Sequence, residues 1–218
     1  MKAPKFKNSL LFISLILNVM FIVLVFIYIA RNKESLTQKF VWKFNTETLI
    51  MFGDSHTARG NWNDLLDRRD VLKVGYSGFT SGQLEFMMKQ YIVDRNASYC
   101  FIQCGGNDLS KAHFDSGKMM SNITSMINYL QAENITPVLQ SLFHRPDPNY
   151  NLTIDSLNMG LQQLARDHGI DFIDVNPYLD EKNNIGELLE IDKVHLNEQG
   201  YKIWGIVVQA YIDENSIK

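Results

Sequence analysis

Cysteine, proline and surplus basic charge are what this 218-residue chain is short of, with two Cys, five Pro and 21 Lys and Arg against 24 Asp and Glu. Two cysteines cannot build a disulfide framework. Cys100 and Cys104 stand four apart in one apolar run, and same-face strand positions that far apart are ~13 Å distant at ~3.3 Å per residue, beyond the span of a bridge. They are expected to be buried core thiols. The formal charge of −3, with no basic stripe beyond the flanks of the long apolar run, argues against a nucleic-acid partner. The five histidines are scattered and neither H-E-x-x-H nor C-x-x-C occurs, so no metal is expected. The glycines of "GYSGFTSG" are not followed by the Lys-Ser/Thr ending of a phosphate loop, and no cofactor is expected.

Charge is also missing from one long stretch. Ser9 to Ala30 ("SLLFISLILNVMFIVLVFIYIA") holds no Asp, Glu, Lys or Arg. At about 1.5 Å per residue a helix of that length crosses a ~30 Å hydrocarbon core. The alternative is a cleaved signal peptide, against which stand the length of the run and the poor cleavage site at "YIA-RN". The expected organisation is a short tail (1–8), a single transmembrane anchor (9–30), a polar stalk (31–46) and one domain (47–218). Lys2, Lys5 and Lys7 before the span are matched by Arg31, Lys33, Lys39 and Lys43 after it, so flanking charge does not orient it. A short tail ahead of a first span favours a cytoplasmic N-terminus and an extracytoplasmic domain.

Beyond the stalk, β-rich runs alternate with helical patterns. Strands are expected at Thr48–Phe52, Val71–Val74, Tyr99–Gln103, Pro137–Leu142 and Asp171–Val175. Helical spacing marks Asn61–Asp67, Gln83–Val93, Ser116–Glu133, Ile154–His168 and Asn197–Glu214, with Gly169 as a C-terminal stop and Asn197 as a cap. The strand runs are apolar on both faces, as strands covered on both sides must be. The alternation indicates a parallel α/β sheet with helices on both faces, and function then gathers at loops beyond the carboxyl ends of the strands.

Three clusters fall in such loops. Gly53-Asp54-Ser55-His56 follows the first strand, and a Ser hydroxyl there becomes a nucleophile only if a base takes its proton. Gly105-Gly106-Asn107-Asp108 ends the third strand, where an Asn amide can donate to a developing oxyanion. Asp192 and His195 stand three apart in "IDKVHLNEQGY", a spacing that lets one turn bring the carboxylate to the imidazole and fix its tautomer. His56, although adjacent to Ser55, has no orienting carboxylate at a suitable spacing and points to another side of the strand end. Asp54 and Asp108 are expected to bond backbone N–H groups of their own loops. His113, His144 and His168 carry no partner pattern, and His168 suits the C-terminal end of its helix. "FHRPDPNY" follows the fourth strand, so His144 or Arg145 could contact a substrate; an ordinary polar loop is the alternative.

Taken together and in this order, the clusters resemble the SGNH hydrolases, also called GDSL esterases and lipases. "FGDSHTARGNW" is similar to that family's first block, "VGYSGFTSGQL" to its second, "CGGNDL" to its third and "IDKVHLNEQGYKIW" to its last, which covers essentially the whole domain. The resemblance implies a flavodoxin-like α/β/α sandwich on a five-stranded parallel sheet. It implies Ser55 as nucleophile, His195 as general base and Asp192 as its orienting group. It also implies an oxyanion hole formed by the N–H groups of Ser55 and Gly78 and the side chain of Asn107. Gly78 is favoured over the nearby Gly75 and Gly82 because "YSGFTSG" overlays the family's "ISGDTT"-like segment. Phe79 then stands where that segment often has an acidic or polar residue, a departure that can alter pocket polarity without touching the catalytic logic. The implied activity is hydrolysis of carboxylic esters, with short acyl groups such as O-acetyl on envelope carbohydrate favoured because no long apolar lid segment follows the anchor. Lysophospholipid or thioester cleavage and acyl transfer to a glycan hydroxyl use the same triad and stay open. A non-catalytic scaffold on this fold is the remaining alternative.

Overall fold

The computed structural model describes residues 17–24, 48–92, 97–180 and 185–217. The expected tail and stalk, and most of the expected anchor, lie outside the described residues. Of the apolar run, residues 17–24 are helical with exposed apolar side chains, and among the described residues no helix is long and apolar enough to cross a membrane.

Five parallel strands form one sheet in the order β2-β1-β3-β4-β5. They are β1 (Thr48–Gly53), β2 (Val71–Gly75), β3 (Ala97–Gln103), β4 (Thr136–Gln140) and β5 (Asp171–Ile173). The helices are α1 (Ser55–Arg59), α2 (Trp62–Leu65), α3 (Ser81–Tyr91), α4 (Ser116–Ala132), α5 (Pro148–His168), α6 (Asn176–Asp180) and α7 (Glu198–Glu214). This is the expected α/β architecture, and the apolar character of both strand faces explains its two cores. Leu49 and Met51 of β1 face one cluster with Phe101, Val138 and the buried side of α7. Ile50 and Phe52 face the other with Cys100, Ile102, Leu139 and the buried sides of α3, α4 and α5. Cys100 and Cys104 are both buried in that second cluster as free thiols.

Several boundaries differ from expectation for local reasons. The helix expected at Asn61–Asp67 is only Trp62–Leu65, and a separate short helix, α1, begins at Ser55 itself because the Asp54 side chain caps it through the His56 N–H. Helix α3 starts two residues early, at Ser81, because Thr80 and Gln83 form a capping box. Helix α5 starts six residues early: Asp147 caps it and Pro148 occupies its first turn, where a missing N–H costs nothing. The tail of "FHRPDPNY" is therefore helix, not loop. At the other end Gly169 adopts φ +62 and stops α5, as expected. Asn197 caps α7 by accepting from the Gly200 N–H.

Two aromatic side chains bind α7 to the site edge of the sheet. Trp204 is fully buried, meets Trp62 edge-on at 4.6 Å and Phe143 at 4.8 Å, and donates its indole N–H to Gln140 Oε1 at 2.7 Å. The phenol of Tyr201 donates to the carbonyl of His56 at 2.7 Å. The far edge of α1 rests on β2 at Gly75, where an added Cβ would fall inside the Ala58 backbone. Gly75→Ala is expected to cost roughly 1–3 kcal/mol, the range for overpacking at a tight contact. The check is a lower urea midpoint at unchanged slope.

Candidate active site

In the strand order β2-β1-β3, successive connections leave β1 to opposite sides, and a crevice opens at the carboxyl end of the sheet. Three loops and one helix terminus meet there. Asp54, Ser55, Gly78, Gly106, Asn107, Arg145 and His195 are among the residues that line one cavity of about 250 Å³. A larger cavity of about 570 Å³ between α2 and α7 shares only Arg59 with it and contains no serine or histidine.

Ser55 is the first residue of α1, buried except for a small opening. Its Oγ lies 2.9 Å from His195 Nε2, and His195 Nδ1 lies 2.7 Å from Asp192 Oδ2. The second carboxylate oxygen of Asp192 accepts from the N–H groups of Val194 at 2.9 Å and His195 at 3.0 Å. Lys193, with φ +56, reverses the chain between them, and the loop is closed by the bond from Glu190 N–H to the His195 carbonyl. The Asp192 carboxyl is held well below the usual carboxylate range by the His195 backbone N–H, the His195 ring and the Val194 N–H. Arg59 adds a longer contact, Nη1 to Asp192 Oδ2 at 3.8 Å.

Gly78 and Asn107 reach the same cavity from two other loops. Phe79 N–H bonds the Tyr76 carbonyl across a tight turn, and the third position of that turn needs positive φ; Gly78 sits there at +79. The Asn107 amide donates to the Phe79 carbonyl at 3.0 Å and makes a stretched 3.4 Å contact to Asp54 Oδ2. Phe79 itself stacks on Tyr76 at 5.1 Å and is not among the residues lining the cavity. Asp108 bonds outside its own loop: its carboxylate accepts from both the N–H and the hydroxyl of Ser81 at the start of α3. Asn122 donates to the same hydroxyl. Asp54 does bond its own loop, through the His56 N–H at 3.0 Å.

His56 is half-buried, with its ring 5.2 Å from both Phe143 and His195, and it makes no bond to Ser55. Burial, the nearby His195 and two guanidiniums push its pKa down to about 3, so it stays neutral and behaves as an aromatic packing residue. Burial acts oppositely on Asp54, raising its pKa to about 7.

His144 is the histidine whose partners the sequence conceals. Its Nδ1 lies 2.6 Å from Asp180 Oδ2 and its Nε2 2.8 Å from Asp155 Oδ1, joining the β4–α5 loop to α6 and α5. The carboxylates are 11 and 36 positions away, which no local spacing reveals. The cavity beside it contains no serine or cysteine, so the cluster has no nucleophile to serve. Burial opposes charge on His144, but hydrogen bonds to Asp180 and Asp155 outweigh it and raise its pKa above the ordinary value. The stabilisation from charged His144 is thus complete below about pH 6.5 and lost as pH rises through the raised folded value. Melting curves of the parent and His144→Gln should differ most below about pH 6, by at most about 1 kcal/mol for pairs half open to solvent, and converge in alkali. A difference that grows with pH would refute the clamp.

The profile of the GDSL-like lipase/acylhydrolase family matches residues 35–203. No curated protein sequence matches significantly. Among solved structures, the lipase/acylhydrolase from Enterococcus faecalis superposes with a TM-score of 0.69 at 20% identity over 78% of this chain and 96% of that one. The psychrotrophic esterase EstA from Pseudoalteromonas sp. superposes at 0.62 with 20% identity, over 79% of this chain and 100% of that one. A variant of Axe2, an acetyl-xylooligosaccharide esterase from Geobacillus, superposes at 0.67 with 20% identity, over 79% of this chain and 95% of that one. These likenesses carry the fold, and the profile carries the family: the chain belongs to the GDSL-like lipases and acylhydrolases.

Proposed function

We propose that this hydrolase is a serine esterase in which Ser55 is the nucleophile, His195 the general base and Asp192 the group that orients it. The observation that carries the reading is the unbroken hydrogen-bond chain from Ser55 Oγ through both His195 nitrogens to Asp192. Ser55 Oγ attacks the ester carbonyl while His195 Nε2 takes its proton. The resulting imidazolium is stabilised by Asp192 and returns the proton to the departing alcohol oxygen. Water then attacks the acyl-enzyme with the same base, and the acid leaves.

The negative charge that develops on the carbonyl oxygen needs donors already in place. The N–H groups of Ser55 and Gly78 make no hydrogen bond among the described residues. Asn107 spends one amide hydrogen on Phe79, while its stretched contact to Asp54 is readily exchanged for an oxyanion. These three form the oxyanion hole in this reading. Ser55→Ala and His195→Ala are each expected to lower the turnover of p-nitrophenyl acetate by about 10³-fold or more, and Asn107→Ala by about 10²–10³-fold. Labelling with a fluorophosphonate probe should map to Ser55. Full activity in Ser55→Ala, or labelling elsewhere, would sink the assignment.

The substrate reading is a short acyl ester, such as acetyl on carbohydrate. A cavity of only about 250 Å³ with polar walls supports it, as does the likeness to an acetyl-xylooligosaccharide esterase. Across p-nitrophenyl esters from acetyl to palmitoyl, kcat/KM is expected to fall beyond about four carbons, because a small polar cavity returns little for each added methylene. A rising profile would reverse this reading in favour of long-chain lipids.

A further inference from the structure

Arg145 has no role in the chemistry above, yet its guanidinium is placed in the cavity with care. The residue follows β4 and its backbone is fixed from two directions. Its N–H donates to Asn151 Oδ1 and its carbonyl accepts from Asn151 Nδ2, both at 2.9 Å. The preceding residue, His144, is held at its N–H by Asn176 and at its ring by Asp155 and Asp180. The guanidinium carbon lies 4.3 Å from the centre of the Tyr150 ring, which holds the fork over an aromatic face.

The donors of that fork are unspent: among the described residues no carboxylate pairs with Arg145 and no side chain or carbonyl accepts from its guanidinium. Arg68, by contrast, is satisfied by two bonds to Asp70, at 2.6 and 2.8 Å. A half-buried guanidinium held rigid without a counter-ion is prepared for one. The rest of the cavity does not supply it. Asp192 is committed to His195 and Arg59, His56 is neutral, and Asp54 is turned to the His56 N–H and Asn107. Arg59 also lines the cavity, so two guanidiniums face a single carboxyl there, that of Asp54.

We infer that Arg145 is a specificity residue that receives an anionic group, carboxylate or phosphate, carried by the non-reacting part of the ester. The class of substrate is then an acylated acid, for example an acetyl ester on a uronic acid or on a sugar phosphate, and not a neutral lipid or neutral glycan. This inference rests on the esterase reading, because it assigns the pocket in which Ser55 acts.

The test uses matched pairs of esters on the intact chain. An anion on the alcohol side is offered by 4-acetoxybenzoate against methyl 4-acetoxybenzoate. An anion on the acyl side is offered by p-nitrophenyl hemisuccinate against p-nitrophenyl butyrate. Comparing each pair between the parent and Arg145→Gln cancels intrinsic ester reactivity. The expected result is a fall of about tenfold or more in the anionic-to-neutral ratio of kcat/KM for one pair, mainly through KM, with partial recovery in Arg145→Lys. The side of the ester on which the fall occurs then locates the anion. Unchanged ratios in both pairs would overturn the inference while leaving the esterase intact. If no ester turns over, the esterase reading fails first, and a readout without turnover decides the anion site. Inorganic phosphate should raise the melting temperature of the parent relative to chloride at equal ionic strength, and Arg145→Gln should lose that shift. No shift in the parent, or the same shift in the variant, would overturn it.

Discussion

The hydrogen bond between Ser55 and His195 joins residues 140 positions apart, and most of the architecture serves to hold its two ends in register. Ser55 is held by β1 and by the Asp54 cap of α1. His195 is held by a tight loop that enters α7. That loop, closed by its own hydrogen bonds, is held in place by the docking of α7 through Trp204 and Tyr201 and by the Asn197 cap. The contact from Tyr201 to the His56 carbonyl links the two ends directly, one residue beyond Ser55. The distance between the Ser55 and His195 side chains is thus a product of core packing as much as of the site itself.

The second pair of loops works on the same principle. The Asn107 amide and the Asp108 carboxylate each reach across to the segment around Gly78, one to the Phe79 carbonyl and the other to the start of α3. Neighbouring side chains on one loop thereby fix the position of another. This cross-linking ties together the loops that line the cavity at the carboxyl end of the sheet. Burial adds a second kind of control: it keeps His56 neutral beside His195, so the two rings meet without a second positive charge from His56.

Much of the fold was legible because its signals are local. A strand covered on both faces must be apolar at every position, and this is visible in "TLIMF" without knowledge of its neighbours. The spacing of Asp192 and His195 was legible for a similar reason, since three residues is within the reach of one turn. Cap geometry was read less well. Ser55 begins a helix, and α5 begins at Pro148, because single side chains, Asp54 and Asp147, satisfy the first free N–H groups. Such caps override the hydrophobic period by which the helices were otherwise located. Asp108 was misjudged because its partner, Ser81, is brought to it only by the turn at Gly78 and the packing of α3.

The sequence by itself determined the parallel α/β architecture, the buried free thiols and the set of residues from which a Ser-His-Asp site could be assembled, because composition and short-range spacing constrain all three. Only the tertiary structure decided that His144 pairs with Asp155 and Asp180, that the His56 ring packs against Phe143, and that the Arg145 guanidinium enters the cavity without a hydrogen-bond or ion-pair partner among the described residues. Those outcomes depend on which elements of a parallel sheet become neighbours. Neighbours across crossover connections are distant along the chain, so no local pattern can announce them.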